Sequence, residues 1–349
     1  MAYTTINDPE KYFQAVLYTG NGSTQDITLP ATSDLQPDWV WIKERTSTSG
    51  HVWVDATRGL DKVIRCNQDG AESTDDDCIT AFNSDGFSIG DDVKTNESNT
   101  ETYAAWCWKA GGGSGSSNTD GDINTTTTSV NTTSGVSIST WTGTGSNATV
   151  GHGLGAVPKM IITKARSDTY NWYTYHVSVG NTKNVYLDLT NAASSASANF
   201  HNNTDPTSSV WTAGGNVYND NYTFVTYAMA EVQGFSKFGK YIGNGNANGT
   251  NVYTGFKPAF IMIKRITGAY DWYVFDNKRP GYNEIGLSIR ASQTHTESTA
   301  SGYPLDILSN GFKIRTSNAA LGGGADPYIY MAFAESPFVN SKGIPNNAD

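Results

Sequence analysis

Length, composition and charge already exclude several classes of protein. The chain has 349 residues and a net charge of −10, without a stripe of Lys and Arg that would attract a nucleic acid, so we expect no nucleic-acid partner. No apolar run reaches the ~18 residues of a membrane span, and the start lacks a secretory signal pattern, so we expect no membrane insertion. The 9 Trp, 19 Tyr and 13 Phe supply apolar area for folded cores.

The first predicted elements along the chain are an N-terminal arm, residues 1–11, and a β-rich unit, residues 12–110. The unit opens with an aromatic residue and a Gly- and Asn-rich turn, YTGNGS from Tyr18. It continues through Pro37 and the apolar run DWVWIK, and it closes with the aromatic strand YAAWCWKA from Tyr103. Such β-branched and aromatic runs, bounded by Gly, Asn, Asp and Ser, predict short strands and turns.

The next segment, residues 111–134, is rich in Gly, Ser and Thr. It has few apolar groups to offset the entropy cost of ordering, so we expect a flexible linker that hinges the first unit from the second. The second unit covers residues 135–233 and the third covers residues 234–337. The remaining residues, 338–349, form a polar C-terminal tail.

The three units are copies of one pattern. In each copy, a proline precedes an apolar run, a lysine follows six residues after the proline, and an aromatic residue or histidine follows after fourteen. The matched positions are Pro37, Lys43 and His51, then Pro158, Lys164 and Trp172, then Pro258, Lys264 and Trp272. This spacing indicates a tandem repeat.

The strand pattern predicts an all-β fold class, with three tandem homologous β-sandwich units of a jelly-roll or concanavalin-like type. The continuous runs WVWI, MIIT and FIMI should be central strands buried on both faces, whereas YTYHV and VFDN alternate and should keep one face in water. Since each unit begins and ends with an aromatic strand, we expect these two strands to pair.

Histidines and glycine-rich turns give no pattern that indicates catalysis. His51 and His176 stand where another copy has Trp or Asp, so a shared general base is unsupported. No Gly-x-Ser-x-Gly elbow occurs, and the Gly-rich turns precede strands, not the helix N-terminus that a phosphate site requires. We therefore expect no enzyme, no catalytic residue and no cofactor.

Acidic residues and cysteines were considered as metal ligands. Residues 75–77 are all Asp, and Asp91 adjoins Asp92, but a solvated loop explains both groups. The sequence DGDIN from Asp120 resembles the start of a calcium loop but lacks the later bidentate acid. Cys66, Cys78 and Cys107 lack metal-type spacing and are interpreted as ordinary thiols. We predict no metal site.

Aromatic residues give a more specific hypothesis than the histidines or acidic residues do, namely a binding surface. Four tryptophans lie in apolar strands and should pack in the core: Trp39, Trp41, Trp106 and Trp108. Tyrosines in or near polar loops are better candidates for stacking on a sugar or anchoring a partner. These candidates are Tyr170, Tyr173, Tyr218, Tyr222, Tyr270 and Tyr282.

Several stretches resemble a family of uncharacterised β-repeat virion structural proteins of marine tailed phages, especially cyanophages. They are MAYTTINDPEKYFQAVLYTGNGS, QPDWVWIKERTSTSGHVWVDATRG, AFNSDGF with YAAWCWKAGG, and AEVQGFSKFGKYIGNGN with YTGFKPAFIMIKR. The resemblance covers nearly the whole chain and implies a tail fibre or appendage-like component. It supplies no catalytic residue to transfer.

Together these observations predict a non-enzymatic virion structural protein, an exposed tail-fibre, appendage or decoration component made in the host cytoplasm. Its expected partners are other virion proteins of the tail or capsid, a homo-oligomer of the chain, and a host-surface glycan, with the N-terminal arm as the attachment segment. A carbohydrate-binding adhesin without a structural role is the alternative. A polysaccharide-cleaving sandwich enzyme is the second alternative, and it would need two carboxylates facing each other across a groove.

Overall fold

Antiparallel β-strands make up almost all the regular structure of the chain. The computed structural model describes residues 3–98, 100–194, 200–215, 217–218, 221–280, 282–298 and 302–345. Within these ranges the helices are a 3-10 turn at Pro9–Lys11 and the α-helix α1 at Val93–Asn96. No described helix has the length and apolar character needed to cross a membrane. The predicted all-β class is confirmed.

The first repeat, residues 12–110, contains one large and one small antiparallel sheet. Its strands are β1 (Phe13–Thr19), β2 (Gln25–Thr28), β3 (Trp39–Glu44), β4 (Val52–Asp55), β5 (Gly59–Ile64), β6 (Ser73–Thr74), β7 (Ala81–Asn83), β8 (Gly86–Ile89) and β9 (Thr102–Trp108). The large sheet has the order β1-β9-β3-β4-β5-β6 and the small sheet the order β2-β8-β7. The first and last strands pair, as predicted.

The second repeat, residues 135–233, has corresponding sheets and gains one strand from the preceding segment. The strands are β10 (Thr127–Asn131), β11 (Val136–Thr142), β12 (Ala148–Gly151), β13 (Pro158–Ala165), β14 (Tyr173–His176), β15 (Val185–Tyr186), β16 (Val210–Ala213) and β17 (Thr223–Ala230). The orders are β10-β11-β17-β13-β14-β15 and β12-β16.

The third repeat, residues 234–337, follows the same order of strands. They are β18 (Ser236–Ile242), β19 (Asn251–Tyr253), β20 (Phe256–Arg265), β21 (Trp272–Asp276), β22 (Ile289–Arg290), β23 (Leu305–Leu308), β24 (Gly311–Ile314) and β25 (Pro327–Pro337). The sheets have the orders β18-β25-β20-β21-β22 and β19-β24-β23. The first and last strands of the second and third repeats also pair.

The register of the large sheets is the same in the three repeats. In each repeat, the residue two positions after the matched proline lies in the central strand and pairs with a residue of the closing strand. These pairs are Trp39 with Trp108, Met160 with Met229, and Phe260 with Phe333. The matched lysines face equivalent partners, which are Ala104, Val225 and Ile329. The matched prolines and lysines therefore occupy equivalent places in the three sheets.

The central strands β3, β13 and β20 are buried almost throughout, as predicted for WVWI, MIIT and FIMI. The prediction of a wet face for VFDN is wrong, because every residue of β21 is buried. In β14, only Tyr173 is partly exposed. His176 of β14 and Asp276 of β21 lie at boundaries between repeats, where each hydrogen-bonds to a neighbouring repeat.

One apolar core joins all three repeats. It contains all four tryptophans predicted to pack, and it continues through β13, β17, β20 and β25. The ring centroids of Trp39 and Tyr227 lie 4.8 Å apart, and those of Phe13 and Phe333 lie 5.5 Å apart. The predicted hinge between the first two units is therefore wrong, because the apolar faces of their sheets pack against each other.

The segment 111–134 is held against the repeats on both sides. β10 falls within it and pairs with β11, with the hydroxyls of Thr127 and Thr140 2.8 Å apart. At its start, the carboxylate of Asp38 accepts the backbone N–H groups of Gly112 and Gly113. The polar residues that suggested a flexible linker thus supply hydrogen bonds that fix the segment.

The ends of the chain also pack against the repeats. Ile6 is 2% exposed and belongs to the shared core, and the backbone N–H of Ser341 donates to Asn7 Oδ1 at 2.7 Å. Residues 3–11 therefore do not project as the free attachment arm that we predicted. Residues 1–2 of that arm and residues 346–349 of the predicted tail lie outside the described residues.

Candidate functional site

The residues fourteen positions after the matched prolines hydrogen-bond across the boundaries between repeats. Each reaches backbone carbonyl oxygens of a neighbouring repeat at 2.7–3.1 Å. The contacts are Trp172 with Arg65 and Gln68, Trp272 with Tyr186, and His51 with Arg290 and Gln293. The three repeats are thereby linked in a closed ring: the first to the third, the second to the first, and the third to the second.

His51 takes part in this ring as a neutral imidazole. The indole N–H of Trp41 donates to its Nδ1 at 2.8 Å, so Nε2 carries the proton that is donated to the carbonyls. Burial, with the nearby charge of Lys43, lowers the pKa of His51 to about 3. Its hydrogen bonds and its low basicity fit a structural donor.

Among the other buried histidines, His176 also bonds to a neighbouring repeat, whereas His152 bonds to the carbonyl of Thr207 in its own repeat. His176 Nε2 lies 3.1 Å from the carbonyl oxygen of Tyr330 in the third repeat, and burial lowers the pKa of His176 to about 4. Burial likewise lowers the pKa of His201 to about 4 and lowers the pKa of His152. His295 is exposed. The buried histidines thus favour the neutral form across physiological pH.

The three matched lysines are fully buried and donate to backbone carbonyls. Lys164 Nζ lies 2.7 Å from the carbonyl oxygen of Ala165, and Lys264 Nζ lies 2.8 Å from that of Thr190 in the second repeat. Lys43 Nζ donates to the carbonyls of Glu44 and Ser47. Burial lowers the pKa of each lysine to about 8. These ammonium groups hold the turns that follow the central strands.

Buried ion pairs join the first and third repeats to their neighbours. Asp55 binds Arg58 within the first repeat, and its Oδ2 accepts the hydroxyl of Tyr227 from the second repeat at 2.7 Å. In the third repeat, Asp276 binds Arg279, and its Oδ2 accepts the indole N–H of Trp106 from the first repeat at 3.0 Å. The buried carboxylates are therefore satisfied by partners from two repeats.

A second layer of ion pairs closes two of the three boundaries. Arg45 donates from Nε and Nη2 to the two carboxylate oxygens of Glu297. Arg166 donates to Glu72 in the same way. At the third boundary, the backbone N–H of Ala193 donates to the carbonyl of Ile266, and both side chains pack against the shared core. An apolar pair thus stands where the other boundaries have an ion pair.

Three of the acidic residues weighed as metal ligands, Asp75, Asp92 and Asp122, have partners within the protein. Asp75 and Asp92 lie 2.9 and 2.6 Å from Lys94 Nζ, although together with Cys78 they are close enough to surround a cation. Asp122 accepts the backbone N–H and the hydroxyl of Thr149. The ammonium group of Lys94 already supplies the positive charge that a bound cation would bring.

The six predicted contact tyrosines do not share one environment. Tyr218 is buried, which contradicts its predicted exposure: its ring lies 5.3 Å from that of Trp141. Tyr170, Tyr173 and Tyr222 are partly exposed and pack together at 5.8–6.2 Å between ring centroids. Polar residues around these rings suggested exposure, but the rings form a satellite aromatic cluster of the second repeat.

The remaining two candidates lie on the third repeat. Tyr270 is partly exposed, with the guanidinium carbon of Arg265 4.5 Å from its ring centroid. Tyr282 is 77% exposed, and it is the predicted residue that the structure places at a cavity.

This cavity is a groove of about 400 Å³, here called the Tyr282 groove. It lies between the ends of β20 and β25 and the connection 277–288 that follows β21. Its lining residues are Lys257, Asn277, Lys278, Tyr282, Asn283, Ile285, Ile307 and Glu335. The volume falls within the ~300–1,000 Å³ that is usual for small-molecule sites.

A smaller cavity adjoins the Tyr282 groove and shares Asn277, Lys278 and Glu335 with it. Glu10 also lines this recess, and burial, followed by the charge of Asp8, raises its pKa. The recess has a volume of about 20 Å³, enough for about one water. A sugar ring does not fit between Glu10 and Glu335 there, so these carboxylates do not supply the open catalytic groove of a polysaccharide-cleaving enzyme.

One known family matches nearly the whole chain. A family model described as a domain of unknown function, DUF7483, matches residues 8–337. The chain belongs to the DUF7483 family. The matched range includes all three repeats and every strand that the structure describes. No curated protein and no solved structure matches the chain.

In this DUF7483 chain, sequence reasoning found Tyr282 but missed the residues around it. Lys257 and Glu335 lie 78 positions apart and meet because β20 and β25 pair. A signal was present in the connection after β21, residues 277–288, which is longer than its counterparts at 56–58 and 177–184. A connection that is longer in one copy than in the others is a common place for a binding surface.

Proposed function

We propose that the chain is a non-enzymatic structural protein of a tailed-phage virion, exposed on the particle as a tail-fibre, appendage or decoration component. The observation that carries the proposal is the closed ring of three repeats around one apolar core. Each boundary in this ring contains buried, hydrogen-bonded polar groups. Such a body resists local opening, which a component exposed to proteases outside the cell requires.

We infer further that each repeat is a β-sandwich in which the small sheet covers the outer face of the large one. In the first repeat, Val40 and Ile42 of β3 share an apolar cluster with Ile27, Phe87 and Ile89 of the small sheet. The opposite face of β3 carries Trp39 and Trp41 into the shared core. The sequence resemblance to marine tailed-phage virion proteins supports placing this body on a particle.

Mass spectrometry of purified virions tests the structural role. The proposal predicts the chain in washed particles, at a copy number that is a multiple of the particle's symmetry and together with tail or capsid partners. Absence of the chain from particles of a phage that encodes it would contradict the proposal. The mass of the isolated protein in solution tests the proposed homo-oligomer.

A second candidate function is carbohydrate binding, as an adhesin that contacts the host surface. The specific observation in its favour is the exposed ring of Tyr282 beside a groove of small-molecule size. The two functions are compatible, since an appendage with weak sites gains avidity from its copy number on the particle. A glycan array probed with the intact protein tests this candidate: no binding to any member would leave the structural role alone.

A further inference from the structure

The Tyr282 groove is built on a rigid base. The side chain of Asn283 forms two hydrogen bonds with the backbone of Ile307, each 2.9 Å long. Ile285 bridges to Leu305 of β23, and the backbone N–H of Lys278 donates to Asp276 Oδ1 at 3.0 Å. The connection 277–288 is thus held at both ends, and little conformational entropy would be lost when a ligand binds.

The ring of Tyr282 provides the apolar surface of the groove. At 77% exposure, most of the ring faces solvent, whereas all nine tryptophans of the chain are buried. An exposed aromatic face beside polar groups is suited to the C–H-rich face of a sugar ring. Ile285 and Ile307 line the groove as buried apolar residues behind it.

Asn277, which lines both the groove and the adjoining recess, carries an acceptor without a donor. The side-chain oxygen Oδ1 of Asn277 is buried and has no hydrogen-bond partner among the residues that the structure describes. A buried acceptor left without a partner costs ~1–3 kcal/mol, so a ligand hydroxyl that donates to it gains free energy. This atom points to a ligand rich in hydroxyl groups.

The charges around the groove balance. Lys257 Nζ lies 3.2 Å from Glu335 Oε2, which pairs one positive and one negative charge. Lys278 also lines the adjoining recess together with the carboxylates of Glu10 and Glu335, so its positive charge lies beside negative groups. With both lysines offset by carboxylates, the groove has no excess charge that would favour a strongly acidic polymer.

We propose that the Tyr282 groove binds a short stretch of a neutral saccharide, with the Tyr282 ring stacked on a sugar face and Asn277 Oδ1 accepting a sugar hydroxyl. This proposal rests on the second candidate function above and names its site and ligand class. It places the contact on the third repeat alone, because the corresponding connections of the other repeats are shorter.

The test uses the full-length protein and defined oligosaccharides. Neutral malto-, cello-, xylo- and galacto-oligosaccharides are compared with acidic oligogalacturonates by saturation-transfer NMR, and the strongest neutral binder is then titrated. Tyr282→Ala should weaken binding about 10-fold, as expected for the loss of one aromatic stacking contact, and Tyr282→Trp should restore it. Asn277→Leu should weaken binding of the same oligosaccharide.

Tyr253→Ala is the matched control, because Tyr253 is the other strongly exposed tyrosine of the third repeat and does not line the groove. It should leave binding unchanged, and thermal melting checks that all variants remain folded. No binding by any neutral oligosaccharide, stronger binding of the acidic ones, or equal loss in Tyr253→Ala and Tyr282→Ala would overturn the proposal. Virions carrying Tyr282→Ala should still contain the chain, so failure of the site and failure of the structural role are distinguishable.

Discussion

Trp172 donates its indole N–H to the carbonyl oxygen of Arg65, 3.0 Å away and 107 positions earlier in the chain. Trp272 makes the equivalent contact with Tyr186, and His51 makes it with Arg290. One matched sequence position thus links each repeat to a neighbour, and together the three contacts close the ring.

Removing one of these donors should destabilise the whole chain. Trp172→Phe keeps an aromatic ring but leaves the carbonyls of Arg65 and Gln68 without their donor, so we expect the free energy of unfolding to fall by ~1–3 kcal/mol. Trp211→Phe is the matched control, since the indole N–H of Trp211 is buried without an acceptor among the described residues. Urea denaturation measures both, and an equal or larger loss in the control would contradict the role of Trp172.

The two ion pairs of Glu72 should differ in their importance. Arg58 is fully buried and Arg166 is partly exposed, and both bind the carboxylate of Glu72. Arg166→Ile, which copies the residue found at the third boundary, should lower the free energy of unfolding by ~1 kcal/mol because its pair is partly screened by water. Glu72→Gln should cost ~3 kcal/mol because it leaves the buried Arg58 with less compensation.

The order of these two losses is the informative result. Chemical denaturation of both variants at the same salt concentration measures it. A larger loss in Arg166→Ile than in Glu72→Gln would mean that the exposed pair, not the buried one, stabilises the boundary.

Stability should decline in acid through the buried histidines. The folded-state pKa values of His51 and His176, about 3 and about 4, lie below the ordinary value of 6.5. The unfolded chain therefore binds more protons between these values, and the free energy of unfolding falls with decreasing pH by up to ~1.4 kcal/mol per pH unit for each histidine. The fall begins near pH 6.5 and is complete near pH 3–4.

Denaturation curves between pH 7 and pH 4 measure this effect in the wild type and two variants. His51→Phe should be less stable at pH 7 but should lose less on acidification, because one titrating group is gone. His295→Gln, at the exposed histidine, should follow the wild-type dependence. A His51→Phe variant with the full wild-type slope would show that another group is responsible.

Stability should rise in mildly alkaline solution through the buried lysines. Lys43, Lys164 and Lys264 have folded-state pKa values of about 8 against an ordinary value of 10.5. The folded state binds fewer protons than the unfolded state between pH 8 and pH 10.5, so the free energy of unfolding increases with pH in that window. Burial raises the pKa of the thiols of Cys66, Cys78 and Cys107, which therefore act in the opposite direction above pH 9. Buried tyrosines do the same above pH 10, since burial raises the pKa of groups such as Tyr175 to about 12.

We therefore expect maximum stability near pH 9, where the gain from the lysines begins to be opposed by the thiols. Lys164→Met should be less stable at pH 8 because the carbonyl of Ala165 loses its donor, but its stability should rise less steeply with pH. Denaturation curves between pH 7.5 and pH 10 test both effects. A steady decline of wild-type stability across this range would contradict the assignment.

The strand framework was predictable because it depends on local patterns. The runs around Trp39, Met160 and Phe260 are continuously apolar, and their common distance from a proline predicted equivalent places in the three sheets. The residue two positions before each matched lysine is also apolar in all three copies: Trp41, Ile162 and Met262. These features do not depend on what packs against the outer or inner face of a sheet.

The shared core and the groove depend on contacts that the sequence does not display. Nothing in the alternation around Tyr227 indicates that its hydroxyl meets Asp55 of another repeat. Segment 111–134 had the composition of a linker, and its ordering depends on partners such as Asp38 and Thr140 elsewhere in the chain. Tyr282 and Tyr218 both have polar neighbours in sequence. Tyr282 is exposed and Tyr218 is buried because their loops pack differently.

Differential scanning calorimetry of the intact chain tests most directly whether the three repeats form one body. Because the apolar core and its boundary hydrogen bonds are shared, the account predicts a single unfolding transition whose calorimetric enthalpy equals its van't Hoff enthalpy. Trp172→Phe should move that whole transition to lower temperature. Two or three separate transitions, with Trp172→Phe shifting only one of them, would contradict the closed ring.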